Sequence, residues 1–561
     1  MKKILFFLAI LSVVSMQAQD GNLPSLFRQP FDFPLYLSGN FGELRSNHFH
    51  GGIDFKTQGV EGKQIHCIAD GYISRASISP GGYGNAIYVT HDNGYTSVYG
   101  HLQKFPPRLA HMLREFQYTH ETFVVDTIFT PDVFPVKRGE VIALAGNSGY
   151  SFGPHLHMEI RETETNEPID PLLFYQDKIK DTTPPRATSL MVYPQKGRGM
   201  LVGKGSHKQA YSFAKSKDLS EPIKAWGVIG TAISANDYMD GTTNRYGVYS
   251  VTLSVDGEEI FSSTVDRFFF SENRLINSWV DYDEYIRHGK WYMKSFIAPG
   301  NSLRMLQSSE NRGWVDICEE RDYHFEYRLS DLYGNTSVYR FIVQGEPSEI
   351  PLEDVCQYTL SWDRSNLLQK PGMQLWIPRG VLYEDHEMDI DVSTDTMAVS
   401  YVYRMGEESV PMHENAFLSI GVLNNSVVDT TKYYMAGKRG KWRGSVGGRY
   451  ENGWVKARIR DLGVSYFVAV DTVAPRVEPI KQASWRKTGI VSFRISDTQT
   501  GIASYKGTMN GEFVLFEYSS KNRRLTCRLK ETPVSDIRPL ALRLVVTDGC
   551  GNETVYESVI K

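Results

Sequence analysis

The sequence predicts a mainly β chain built of several domains, and three observations carry that reading. Short runs in which apolar and polar residues alternate recur along the chain, set apart by its 48 Gly and 25 Pro. This is the pattern of half-buried strands bounded by turns. Aromatic residues make up 12% of the chain, with 32 Tyr, and such side chains favour a pleated, half-buried surface. A length of 561 residues exceeds one hydrophobic core and fits roughly three or four domains. The formal net charge is −4 and there is no long basic run, so nucleic acid is not expected as a partner.

Residues 1–18 read as a secretory signal peptide. Lys2 and Lys3 precede an apolar run over 4–14, and Met16-Gln17-Ala18 sets cleavage after Ala18. The run falls far short of the roughly 20 residues of a membrane span. No Cys follows it to carry a lipid, and no later stretch approaches spanning length. The mature chain is expected to be soluble and exported, to the periplasm or cell envelope or into the medium, without a transmembrane segment. Residues 19–37 read as an N-terminal arm.

Nine of the fourteen histidines then fall between His48 and His157. Histidine is the commonest metal ligand and titrates near neutral pH, so this clustering asks for chemistry before packing. Three pieces stand out: His50-Gly51-Gly52-Ile53-Asp54, Tyr99-Gly100-His101-Leu102 and Gly153-Pro154-His155-Leu156-His157. His155 and His157 sit in an alternating run and are predicted on a strand, where residues two apart share a face. His50 and Asp54 are four apart, but Gly51 and Gly52 argue against a helix. A loop entering a strand at Ile53-Asp54-Phe55 fits better, with the glycines letting the backbone turn tightly round an ion. An Asp and several His without a Cys pair suit a catalytic rather than a closed structural zinc site. Two ligands from the first piece and one from the last would leave the fourth position open. Any spare His would stand nearby as general base or oxyanion stabiliser.

His50-x-x-x-Asp54 together with His155-x-His157 resembles the M23 (LytM or lysostaphin-type) zinc metallopeptidases. The surrounding pieces agree in order: Gly71-Tyr72-Ile73, Tyr83-Gly84-Asn85, Asn93-Gly94-Tyr95, Tyr99-Gly100-His101-Leu102, Lys137-Arg138-Gly139-Glu140 and Gly146-Asn147-Ser148-Gly149. The resemblance implies an antiparallel β peptidase domain over 38–176. It implies one zinc ion per chain, held by His50, Asp54 and His157, with His101 and His155 as catalytic histidines. It also implies cleavage of peptide bonds in peptidoglycan stem peptides or cross-links. Two alternatives stand beside it: a silent or latent LytM-type module that binds wall or activates another hydrolase, and a zinc peptidase acting on a protein. The chain departs from the family pattern at 103–135, where the usual connection is short. Leu109, Met112, Leu113 and Phe116 predict a short helix there, and an insertion beside a site suggests a border of the substrate groove.

Further on, Asp181-Thr182-Thr183-Pro184-Pro185 returns as Asp471-Thr472-Val473-Ala474-Pro475. Asp331-Leu332-Tyr333-Gly334-Asn335 returns as Asp548-Gly549-Cys550-Gly551-Asn552. These start and end signals resemble bacterial Ig-like β-sandwich modules: Pro opens an edge strand and Gly-Asn supplies a tight turn. They predict an enlarged sandwich at 182–345 and a smaller one at 472–561, with a β domain of uncertain type at 346–471 between them. Such domains would position the enzyme or bind envelope proteins.

Other features receive plainer readings. His48, His66 and His91 read as hydrogen-bonded surface or strand residues, His48 being the one near enough to His50 to face the groove. His111 and His120 are expected in solvent. Gly146-Asn147-Ser148-Gly149-Tyr150 lacks the last Gly of a nucleophile elbow and reads as a turn. Of the five cysteines, Cys67 reads as a buried small hydrophobe, while Cys527 and Cys550 fall in one domain and are candidates to pair. Lys196-Gly197-Arg198-Gly199 and Gly437-Lys438-Arg439-Gly440-Lys441 read as loop tips, and Glu258-Glu259 and Glu319-Glu320 as solvated faces.

Overall fold

The structure is a computed structural model that describes residues 23–352, 355–423, 427–534 and 539–561. The predicted signal peptide lies outside the described residues. Among these residues no helix is long and apolar enough to cross a membrane. The chain is mainly β.

The histidine-rich stretch forms a nine-stranded antiparallel sheet. Its strands are β1 (Leu37–Gly39), β2 (Ile53–Lys56), β3 (Gly71–Ile78), β4 (Asn85–His91), β5 (Tyr95–Gly100), β6 (Val125–Ile128) and β7 (His155–Glu162), with two short strands paired to β3 and β7. The spatial order is β1-β2-β7-β5-β4-β3-β6, so β7, last in sequence of these seven, is flanked by β2 and β5. Both faces of β7 are covered: Leu156, Met158 and Ile160 are fully buried on one side, and His157 and Glu159 are buried on the other. A three-stranded sheet of Gln64–His66, Val141–Ala145 and Leu102–Lys104 packs beside it.

Two features differ from the pattern read in the sequence. Phe27, Phe31 and Leu35, predicted in an arm, are buried in the same hydrophobic core, where Phe31 stacks on Phe33 at 4.7 Å. An aromatic run without periodicity gives no strand signal, yet it can cover a sheet face. Cys527 and Cys550 remain free thiols. Cys527 lies in the C-terminal core, while Cys550 packs with Tyr434 and Phe467 of the preceding domain.

The insertion folds as helix α1 (Pro107–Thr119) followed by β6. Leu109 and Leu113 are its buried face, as their spacing predicts. Its other side meets the C-terminal segment: Arg114 pairs with Glu531 at 2.9 Å, Tyr118 lies edge-on to Phe513 at 5.7 Å, and Lys506 pairs with Glu121.

Residues 186–345 form one ten-stranded sheet. It includes β8 (Arg186–Leu201), β9 (Ile223–Asn236), β10 (Ser250–Val255), β11 (Glu258–Thr264), β12 (Asp322–Ser330) and β13 (Thr336–Gly345). The start of β9 pairs in parallel with β13, and this joins its two halves. Its core is continuous with that of the first sheet: Phe268 lies 5.3 Å from both Phe41 and Phe49, and Phe49 lies 6.0 Å from Trp279. Residues 366–470 form two five-stranded sheets round a second core. Residues 476–560 form two four-stranded sheets round a third. In both repeated end signals the Asp accepts from the backbone N–H of the Asn four residues on, at 2.8 Å, and the intervening Gly334 and Gly551 take positive φ. That is the chemistry of a tight hairpin turn.

Candidate metal centre

Strand register assembles the site. His157 on β7 lies opposite Asp54 on β2 and opposite Gly100 on β5. His101 follows Gly100 directly. His155, two residues before His157, emerges on the same face. His50 arrives on the loop before β2. That loop passes so close to β7 that a Cβ on Gly52 would meet the carbonyl oxygen of Met158 at 2.3 Å. Only glycine permits this approach.

Three donor atoms converge there. His157 Nδ1 lies 2.9 Å from Asp54 Oδ1 and 2.9 Å from His50 Nε2, and His50 Nε2 lies 3.1 Å from Asp54 Oδ1. All three residues are buried. Each imidazole is fixed from behind. His50 Nδ1 donates to the carbonyl of Asn40 at 2.6 Å, and His157 Nε2 lies 2.9 Å from Glu159 Oε1. The nitrogens facing inward are the ones placed to hold a metal, His157 Nδ1 once it gives up the proton it shares with Asp54. Two imidazoles and a carboxylate suit zinc, and among the described residues no fourth donor joins the set. Asp54 turns its other oxygen to Arg45, which donates at 2.9 Å.

His101 and His155 flank the cluster, their ring centres 4.7 Å apart. His101 Nδ1 donates to the carbonyl of Ser148 at 2.8 Å, and His155 Nδ1 donates to that of Gly153 at 2.8 Å. Each thus presents Nε2 as a proton acceptor, His155 Nε2 lying 3.6 Å from Asp54 Oδ1. His101 has φ +58°, a conformation costing a non-glycine residue about 1–3 kcal/mol and typical of functional sites. Its backbone N–H donates to Tyr83 O at 2.8 Å, which helps to hold it.

Electrostatics separate the histidines. Burial pushes His50 down to about 4, against the pull of Asp54. Burial, with His157 and His155, pushes His101 down to about 3, and burial also lowers His155. Burial alone would lower His157 too, but hydrogen bonds to Asp54 and Glu159 outweigh it and raise the residue to about 9. Burial would raise Glu159, yet Arg161 and His157 hold it down at about 2.

The structure thus brings together all five residues singled out by spacing: His50, Asp54, His101, His155 and His157. The bystanders are elsewhere. His48 is exposed and bonded to Ser46 O at 2.8 Å. His66 donates to Gly139 O at 2.9 Å, and His91 is bonded to Asp70 O and Ser97 Oγ. His111 and His120 are exposed on the insertion. Several supporting residues were not foreseen. Glu159 is held by Arg161 at 2.6 Å and by Tyr83 Oη at 2.5 Å. Glu159 and Arg161 continue the alternate spacing of His155 and His157, so the strand pattern could have found them. Asn40, Tyr83 and Ser148 carry no such signal.

Residues 48–109, which include His50, Asp54 and His101, match Peptidase family M23, and residues 357–471 match the Zu5-like domain. The DD-carboxypeptidase/endopeptidase Mpg of Neisseria meningitidis serogroup B is 31% identical over 129 residues, covering 23% of this chain and 23% of that protein. Lipoprotein NlpD of Yersinia enterocolitica is 31% identical over 103 residues, covering 18% of this chain and 81% of that protein. The solved catalytic domain of lysostaphin from Staphylococcus simulans aligns at 24% identity with a TM-score of 0.19, covering 25% of this chain and 91% of that one. The chain spans about a quarter of the length of the Mpg protein it matches, 23%. On its matched stretch and its relatives, the chain belongs to Peptidase family M23.

Proposed function

We propose that the protein is an exported zinc metalloendopeptidase that hydrolyses peptide bonds in peptidoglycan stem peptides or cross-links. One arrangement supports this above all: one ligand atom each from His50, Asp54 and His157 meet within 3.1 Å of one another, with two proton-accepting histidines beside them. Zinc bound there would supply the Lewis acidity that polarises a carbonyl and acidifies water. The chain's own residues would do the rest. His101 and His155 are both neutral at neutral pH, because burial disfavours their charged forms. One accepts the proton of the attacking water at Nε2. Then an imidazolium, it can donate a hydrogen bond to the oxygen on which negative charge develops or return the proton to the leaving amine, while the other histidine lies 4.7 Å away between ring centres. Ser148 and Gly153 fix the tautomers through the carbonyls that accept from Nδ1. The complete donor set favours an enzyme over a silent wall-binding or activating module. A peptidoglycan substrate is what the resemblance to the M23 (LytM or lysostaphin-type) peptidases implies.

The purified chain, incubated with intact sacculi, tests the proposal. A chelator-sensitive loss of cross-linked muropeptide dimers with a matching gain of monomers is expected. His157→Ala should lose metal and turnover together, whereas His101→Ala should keep the metal and lose turnover by at least about a hundredfold. An unchanged profile from zinc-loaded protein would move the assignment to a protein substrate or to an activator of another hydrolase.

A further inference from the structure

A second group of carboxylates lies at the junction of the catalytic sheet and the ten-stranded sheet. Asp181 leads into β8, Asp237 follows β9, and Asp331 sits in the turn between β12 and β13. One carboxylate oxygen from each lies within 4.8 Å of the others. The residues are only 7%, 2% and 4% exposed. Among the described residues, no lysine or arginine pairs with any of them.

What marks this group out is polar atoms left without partners. Asp237 Oδ1, Asp181 Oδ2 and the hydroxyl of Tyr333 are all buried and accept or donate no hydrogen bond. Asp237, Asp331 and Tyr333 line one small cavity, which Asn40 and Asp170 close from the side of the catalytic sheet. A buried polar atom with no partner costs the full desolvation of that atom, so the bare Asp237 Oδ1 and Tyr333 hydroxyl on this cavity, with the bare Asp181 Oδ2 in the same carboxylate group, ask for a ligand. Burial pushes Asp237 up to about 8 and Asp181 up to about 6, and their like-charged neighbours add to it.

The C-terminal repeat supplies an internal comparison. There the corresponding linker residue is Asp471, grouped with Asp497 and Asp548. In both copies the closing Asn donates from its side chain to the carbonyl of the linker Asp, Asn335 to Asp181 and Asn552 to Asp471. In the C-terminal copy, however, protein donors meet the carboxylates. Thr500 and Gln499 donate to Asp471, and three backbone N–H groups donate to Asp497 Oδ1. In the first copy Thr183 donates to Asp181 Oδ1 and Asn335 to both oxygens of Asp331, but Asp181 Oδ2 and Asp237 Oδ1 stay bare.

We propose that Asp181, Asp237 and Asp331 bind a hard divalent cation, calcium by its all-oxygen ligands, that ties the ten-stranded sheet to the catalytic domain. Calcium accepts irregular oxygen cages, whereas magnesium keeps several of its waters, for which this small cavity has little room. This inference does not depend on the zinc assignment.

Terbium(III), a calcium stand-in whose luminescence tyrosine sensitises, gives the test, since Tyr333 and Tyr249 line the cavity. The full-length chain, passed over a chelating resin, would be titrated with terbium and then with calcium or magnesium. The expected result is a saturable signal that calcium displaces at concentrations where magnesium does not, and a rise in Tm of about 2–4 °C on adding calcium. Asp237→Asn and Asp331→Asn should each abolish the signal, and Asp497→Asn should leave it intact. Circular dichroism confirms that each variant is folded, with Asp181→Asn replacing any that is not. No calcium-dependent change in Tm, or full terbium signal retained in folded Asp237→Asn, would overturn the proposal and leave a shared proton as what satisfies the cluster.

Discussion

His157 and Glu159 lie two residues apart on one strand and meet through Nε2 and Oε1 at 2.9 Å. The carboxylate is anchored in turn by Arg161 and Tyr83. Glu159 thus decides which nitrogen of His157 faces Asp54 and His50. Glu159→Gln keeps the shape and removes the charge. Metal affinity should fall about 10–100-fold, the usual cost of losing such a partner, as measured by competition with a chromogenic chelator. Unchanged affinity would mean that Glu159 only packs.

Asn40 plays the matching part behind His50, but from a loop. Its side chain exchanges two hydrogen bonds with the backbone of Gly247, at 2.8 and 2.9 Å, while its carbonyl accepts from His50. Asn40→Ala should release the loop and weaken metal binding about tenfold, with little loss of overall fold. Metal content after dialysis against a graded zinc buffer would show it.

Zinc affinity should depend on pH in one direction. Without metal, His157 holds a proton up to about 9, and ligation needs that nitrogen free. Between about pH 6.5 and 9 the proton competes, so affinity should fall about tenfold for each unit of acidification. His50, held down at about 4, should add no step in that range. Calorimetric titration in buffers of different ionisation enthalpy would count the proton released. Absence of release at pH 7 would contradict the charged state of metal-free His157.

Lys521 reaches from the C-terminal sandwich to Asn147, its ammonium 2.8 Å from Oδ1, and Ser520 donates to Pro80 O at 2.7 Å. Asn147 precedes Ser148, whose carbonyl orients His101. Lys521→Ala should lower kcat about fivefold, equivalent to about 1 kcal/mol, with metal content unchanged. An equal rate in both proteins would detach the C-terminal domain from catalysis.

Phe268 bridges the first two sheets against Phe41 and Phe49. Phe268→Ala should cost about 3–5 kcal/mol. Loss should appear in the unfolding transition that also releases zinc, because the two units share a core. A drop confined to a separate transition would show that they unfold independently.

How much of this is legible in the sequence depends on how each residue gets its place. His155 and His157 could be paired from strand alternation alone, and His50 and Asp54 from a glycine-bracketed loop entering a strand. Buried sheets likewise announce themselves through alternation and turn residues such as Gly334-Asn335. Asn40, Tyr83 and Ser148 owe their roles to loops closed by distant partners, and no local period encodes that. The contact between α1 and residues 506–531 rests on charge and aromatic complementarity between surfaces far apart in the chain. The aspartates at 181 and 331 were visible as turn and linker signals, but their meeting with Asp237 depends on the course of β9.

The common core of the catalytic and ten-stranded sheets also bears on how such a chain can be rearranged. A module exchanged between proteins must carry its own interior. Here a cut near residue 180 would expose Phe41, Phe49 and Phe268 together on two fragments, each with an apolar face and no cover. The first sheet and the ten-stranded sheet behind it should therefore be inherited, and engineered, as one indivisible cassette, whereas the two C-terminal units each carry an interior of their own and part along a seam as small as the cluster of Cys550, Tyr434 and Phe467.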